Sequence, residues 1–198
     1  MTSLVFMVEE RSMAALLEGV LPRIVPTSVA YQVVPHEGKS DLKKSLPRKL
    51  TAWGVPGARF VVLIDQDSNN CKKLKAELRA LCDGTEAEPP LIRIVCRSLE
   101  SWVIGDLDAV AKAFEKPTVS KRKHTAKLRK PDQLGDPLKE LRGLVEGYKK
   151  VDGARTVAPH LNLARGHNAS VSFGTFCTGL EQLIEEMLSG KVARKARK

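Results

Sequence analysis

Short apolar runs alternate with stretches of helical period over the first 114 residues. Residues 3–8 (SLVFMV), 28–34 (SVAYQVV), 59–64 (RFVVLI) and 91–96 (LIRIVC) are brief and rich in β-branched or aromatic side chains, which predicts strands. The third is nearly unbroken in its hydrophobicity, as a central parallel strand must be when helices cover both its faces. Between these runs the period lengthens. Ala14, Leu17 and Leu21 fall on one helical face that Pro22 closes. Leu42, Leu46, Leu50 and Trp53 predict a helix over 40–53, with Ser40 as its N-cap and Pro47 bending or splitting it. Gly54, Pro56 and Gly57 form a turn. Leu74, Leu78 and Leu81 predict a helix over 68–82, DGTEAEPP a loop, and residues 99–114 are mostly helical.

Strand then helix, four times over, predicts an α/β fold: a parallel four-stranded sheet with helices on both faces. This core spans residues 1–115. Prolines and basic residues mark 116–134 as a linker or exposed loop. Residues 135–190 read as a C-terminal helical extension packing on the core, ending in a stripe of Phe173, Phe176, Leu180, Leu183, Ile184 and Met187. Residues 191–198 read as a disordered basic tail.

A chain of 198 residues that is 42% hydrophobic and 28% charged has the means for a real core. No apolar run approaches the roughly 18–20 residues of a membrane helix, and the N-terminus lacks the basic n-region of a signal peptide. Cys71, Cys82, Cys96 and Cys177 form no C-x-x-C, which argues against zinc and disulfides and for a reducing cytoplasm. His124, His160 and His167 lack metal-ligand spacing, and Trp53 and Trp102 read as packing residues.

The net charge of +10 is unevenly written. Residues 121–130 hold six basic residues and 191–198 five, with no acid in either, so the other 180 residues sum to about −1. Lys121, Arg122, Lys123, Lys127, Arg129 and Lys130 are therefore candidates for a nucleic-acid backbone, through salt-sensitive contacts without base stacking. His36-Glu37-Gly38-Lys39-Ser40 ends like a Walker A loop, but Val33 stands where its first Gly belongs. Lys39 and the helix after it remain a candidate phosphate contact. Arg165 and Ser172 are candidates to face the site.

In open α/β sheets, ligands bind outside the carboxyl ends of the strands, at the switch point of the strand order. Glu9 and Glu10 follow the first strand, Asp65 and Asp67 the third, and Glu100 the fourth. If strands one and three are neighbours, Glu9 and the Asp pair converge. Carboxylates so placed suit Mg²⁺ or Mn²⁺, which clamp a phosphodiester and activate water.

A Glu after strand one, Asp-x-Asp after strand three, and a parallel βα core resemble a Toprim domain. Toprim domains occur in topoisomerases, bacterial primases, the RNase that matures 5S rRNA and the overcoming-lysogenization-defect nucleases. More closely, the chain resembles small bacterial Toprim-like proteins of unassigned function, often associated with ATPases in anti-phage systems. The matching segments are MVEERSMAALLEGVLPRI, HEGKSDLKKSLPRKL, VVLIDQDSNNCKKLK, RSLESWVIGDL and SVSFGTF, along most of the chain. The resemblance implies a Mg²⁺-dependent nuclease acting on DNA or RNA, metal at Asp65 and Asp67, Glu9 as catalytic acid or base, and Glu100 as a further acid of the site. It also implies an ATPase partner and leaves a homo-oligomer open. Glu10 stands where Toprim domains commonly carry Gly, which crowds the turn, and Asn69 and Asn70 stand near where a third acid often follows, which weakens a second metal site. Two rival readings stand beside this one. One is a non-catalytic Toprim-like subunit docking on an ATPase. The other is a haloacid-dehalogenase-like phosphatase with Asp65 as nucleophile. That fold expects Thr or Val where Asn69 stands and usually places its D-x-D on the first strand.

Overall fold

A computed structural model describes residues 3–85 and 87–190. The four apolar runs are strands β1 (Ser3–Val8), β2 (Ala30–Pro35), β3 (Arg59–Asp65) and β4 (Leu91–Val95). They form one sheet in the order β2-β1-β3-β4, parallel throughout, with Phe6 opposite Val33 on one side and Val61 on the other. Strands one and three are neighbours, so the switch point lies between them.

Alternation along each strand divides the core in two. Val5, Met7, Phe60, Val62, Ile64 and Ile92 face α2 (Lys39–Ala52) and α3 (Cys71–Cys82). Leu4, Phe6, Val8, Val61, Leu63 and Val95 face α1 (Arg11–Val20) and the helices that follow β4. Asp65 shares its parity with Leu63, so it belongs to this second face. The helices there are α4 (Leu99–Ile104), α5 (Leu107–Ala113), α6 (Pro117–Ser120), α7 (Pro137–Leu144), α8 (Lys150–Val157) and α9 (Val171–Leu188). Helix α8 lies on α1, α9 on β4 and α7 on α4. The approach of α1 to the C-cap of α8 is close: a Cβ at Gly19 would stand 2.6 Å from the Ala158 Cβ. Trp102 is buried with its ring 5.1 Å from Phe176, and its Nε1 donates to Ser172 Oγ at 2.8 Å. The C-terminal helices and the sheet thus share one core. No described helix is long and apolar enough to cross a membrane.

Several local expectations change. Gly38, not Ser40, is the N-cap of α2, at φ +102°, and the helix runs on through Pro47. Residues 99–114 are two helices, because Asp106 caps α5 by accepting from Ala109 N at 3.0 Å. Segment 116–134 is ordered into α6 and two 3₁₀ turns, with Val119, Leu128 and Leu134 buried in the core. The tail at 191–198 lies outside the described residues.

Candidate metal centre

Parallel pairing carries the chain past the ends of β1 and β3 side by side. Glu9 N donates to Leu63 O at 3.1 Å, extending the ladder, and Asp65 N donates to Glu9 Oε2 at 2.8 Å. The Glu9 side chain is thereby fixed against the end of β3. Asp65 is 4% exposed, and its Oδ1 has no hydrogen-bond partner. Burial holds its carboxyl well above the usual range, and Glu9, Glu10 and Glu100 push it further, against Lys150.

Glu100 comes from the first turn of α4 and is 1% exposed. Its Oε2 accepts from Ser98 Oγ at 2.7 Å, while its Oε1 has no partner. Asp67 sits in a turn at φ +50°, a conformation Asp tolerates better than most residues. Its N–H donates to Arg97 O at 2.8 Å and its carboxylate pairs with Lys39 at the start of α2. Gln66 ties the loops together, donating from its backbone to Val95 O at 2.8 Å and accepting from Arg97 N at 3.1 Å through its side chain. Asn70, rather than Asp67, caps α3 by accepting from Lys72 N and Lys73 N at 3.0 and 3.1 Å. That leaves Asp67 free of capping duty.

Two residues complete the site without having been expected there. Glu10 pairs with Lys150, the first residue of α8, at 2.7 Å, and accepts from Ser12 Oγ. Burial works against the Lys150 ammonium, but the bond to Glu10 and the charges of Glu100, Glu10 and Asp65 outweigh it and raise its pKa. Asp65, Asp67, Arg97, Ser98, Glu100 and Lys150 line a cleft of about 440 Å³, together with residues 135–138.

The other predicted residues fall elsewhere. Lys123 pairs with Asp108 at 2.9 Å and Lys127 with Glu140 at 2.6 Å, whereas Lys121, Arg122, Arg129 and Lys130 are exposed. Arg165 pairs with Glu181 on α9 at 2.8 Å and is not part of the cleft lining. Ser172 is a packing residue, holding Trp102 Nε1 and Cys96 N. His36 is buried, and burial lowers its pKa; the neutral ring donates from Nδ1 to Val8 O at 2.9 Å and meets Lys49 Nζ at Nε2, 3.1 Å away.

Among the described residues, the group whose ligand atoms all lie within 4.8 Å of one another is Asp106, Asp108 and His167. By distance alone it could hold an ion. Its oxygens are already engaged: Asp106 accepts from Ala109 N and Asn162 N at 3.0 and 2.8 Å, and Asp108 from Ser120 Oγ and Lys123. Glu9, Asp65 and Glu100 do not meet that distance, yet two of them, Asp65 and Glu100, carry buried carboxylate oxygens without a partner. Hard oxygen donors that are buried, mutually repelling and unpaired are what a divalent cation satisfies. The residues around Asp65 fit such an ion.

The parallel four-stranded sheet and the helices that cover it form a Toprim-like α/β fold. The chain belongs to the DUF4276 family, a domain of unknown function, which it matches over residues 8–181. Among solved structures it is similar to the C-terminal region of the Burkholderia pseudomallei OLD protein, with a TM-score of 0.55 and 15% sequence identity. That match covers 92% of this chain and 97% of the other. No curated protein matches the chain.

Proposed function

We propose that this protein is a Mg²⁺- or Mn²⁺-dependent nuclease that hydrolyses phosphodiester bonds of DNA or RNA. The observation that carries the reading is the pair of buried carboxylate oxygens without partners, Asp65 Oδ1 and Glu100 Oε1, at the switch point of the sheet. Asp65, Asp67 and Glu100 are the residues to hold the ion. When bound, a divalent cation supplies positive charge for a phosphate oxygen and lowers the pKa of water.

The remaining roles belong to the chain. Burial raises the pKa of Glu9, the N–H of Asp65 and Lys39 oppose it, and Asp67 and Glu10 add to it. A carboxyl tuned upward is suited to moving a proton near neutral pH. Glu9 is fixed by the Asp65 N–H at 2.8 Å, so its proton-transfer oxygen is positioned rather than free to rotate. Lys150 and Arg97, both lining the cleft, offer donors to a phosphodiester. Lys121, Arg122, Arg129 and Lys130 are exposed and offer backbone contacts beyond the cleft. The four free thiols support a reducing cytoplasm as the setting. An ATPase partner in anti-phage defence is carried by the family resemblance.

The test is Asp65→Ala together with Asp67→Ala, assayed with Mg²⁺ or Mn²⁺ on labelled DNA and RNA. Cleavage is expected to fall at least about 100-fold while circular dichroism is unchanged. Undiminished cleavage overturns the assignment. A second reading, a non-catalytic subunit, draws support from Lys150, which brings a cation into the acidic cluster without any metal. It requires that no carboxylate-dependent Mg²⁺ binding be found by titration. A phosphatase with Asp65 as nucleophile draws no support, since a buried carboxyl of raised pKa is a poor one.

A further inference from the structure

A cavity of about 690 Å³ opens at the end of the sheet opposite the carboxylates. Arg59 begins β3 there, as Asp65 ends it at the site, and Arg79 and Arg93 line the same cavity. Arg93 is half-buried and lies across α9, where a Cβ at Gly179 would stand 1.9 Å from its Nη2. Its Nε donates to Thr175 O at 3.2 Å and its Nη1 to Ile92 O at 3.4 Å. Asp83 and Glu186 also line the cavity, but no described carboxylate forms an ion pair with Arg59, Arg79 or Arg93. A guanidinium taken from water without a counter-charge is costly, and burial lowers the pKa of Arg93 accordingly.

Helix α3 adds to this charge. Lys72, Lys75 and Arg79 recur at i, i+3 and i+7, so they form one stripe. The stripe runs from beside the Asp67 turn to Arg93. After burial, Arg93 and then Arg79 act to lower the pKa of Lys75, which places the three cations within reach of one another. Helices α2 and α3 together carry nine basic and two acidic side chains. Both acids are used elsewhere, Glu77 on Lys43 at 2.7 Å and Asp41 on the Glu37 N–H at 3.0 Å. The near-neutral body read from the sequence is neutral only in sum. A row of like charges on a helix is destabilising, and a polyanion is what relieves it.

We infer that the stripe Lys72–Lys75–Arg79, ending at Arg93 and Arg59, binds the phosphodiester backbone of a nucleic acid. The distance sets the register. Strand β3 takes six residue steps from Arg59 to Asp65, roughly 20 Å at about 3.3 Å per residue. A duplex covers that in about six nucleotides at 3.4 Å each. The far end of the stripe, at Arg59, thus grips substrate about six nucleotides from the bond that the proposed nuclease site would cut. Only that register rests on the nuclease reading.

The experiment measures binding of the full chain by fluorescence anisotropy in EDTA, with DNA and RNA duplexes of one sequence. The variant is Lys72→Gln/Lys75→Gln/Arg79→Gln, and the control is Lys112→Gln/Lys139→Gln/Arg155→Gln, which removes the same charge from exposed positions on the other face of the sheet and is expected to bind like the parent. The stripe variant is expected to bind at least about 10-fold more weakly at 0.1 M salt, with a salt slope shallower by about 2.7. The two duplexes report which backbone is preferred. Unchanged affinity and slope in the stripe variant overturn the proposal, as does polyglutamate competing as well as either duplex. No cleavage is read, so an inactive nuclease leaves a positive result standing. A protein that cleaves but whose stripe does not bind fails this proposal alone.

Discussion

Around Asp106, three ligand-bearing side chains lie within 4.8 Å of one another, and each carboxylate oxygen there already has a donor. Around Asp65 the carboxylates do not meet that distance, and two of their oxygens have no donor although both are buried. The residue types are alike. The difference is occupancy: two backbone N–H groups, a serine hydroxyl and a lysine ammonium complete the first group, and no donor in the described chain reaches the two orphaned oxygens of the second. Proximity alone would pick the wrong cluster, because a satisfied carboxylate gains little from a metal while an orphaned one gains much.

The contrast is broken most directly by stability measurements of opposite sign. Asp106→Ala removes a buried cap and strands two N–H groups, so unfolding in urea is expected to show a loss of about 3 kcal/mol. Asp65→Asn removes a buried charge from among like charges and offers Glu100 a donor. Without metal, that protein is expected to be more stable than the parent, by about 1–2 kcal/mol. A loss in both variants would mean that Asp65 is scaffold too.

The response to pH sharpens the same contrast. Asp65 and Glu9 have folded pKa values above their unfolded ones, so the native state binds more protons. Their contribution is fully present below the unfolded values and is lost as pH rises through the raised ones. Asp108, lowered by its bonds to Ser120 and Lys123, contributes above its unfolded value and loses that as pH falls through the lowered one. Metal binding needs the carboxylates ionised. Mn²⁺ titrations are therefore expected to tighten from mildly acidic to mildly alkaline pH, and to lose that trend in Asp65→Asn. Flat affinity across the range would sink the assignment of the ion to Asp65.

The smallest effect belongs to Lys150. Its ammonium tempers Glu10, Glu100 and Asp65, but it is partly exposed, so solvent screens much of the attraction. Lys150→Gln is expected to cost about 0.5–1 kcal/mol without metal and less in saturating Mg²⁺, by thermal melting. An equal cost in both conditions would separate the lysine from the ion.

The strands were legible because buried parallel strands must be short and apolar, and Asp65 ended the clearest of them. The sheet order then brought Glu9 to Asp65 as the sequence suggested. What escaped was set by packing across long separations. Lys150 reaches the site because α8 lies on α1, and no local pattern announces that. Asn70 caps α3 and Asp67 does not, although either side chain can accept from the first helical N–H groups, because only the backbone path decides. The basic stripe on α3 was hidden by counting, for its lysines and arginine are interleaved with leucines and gain meaning only at helical spacing. In 121–130, by contrast, two of the six charges of the most conspicuous run are tied up with Asp108 and Glu140.

The Glu10–Lys150 pair joins residues 140 positions apart. A ribosome adding about 5–20 residues per second needs roughly 7–28 s to cross that interval. For that time the nascent chain holds Glu9, Glu10 and then Asp65 with no lysine from α8 to temper them. Lys39, which tempers Glu9 and pairs with Asp67, is made early in that interval, so the cluster waits on α8 for its second cation.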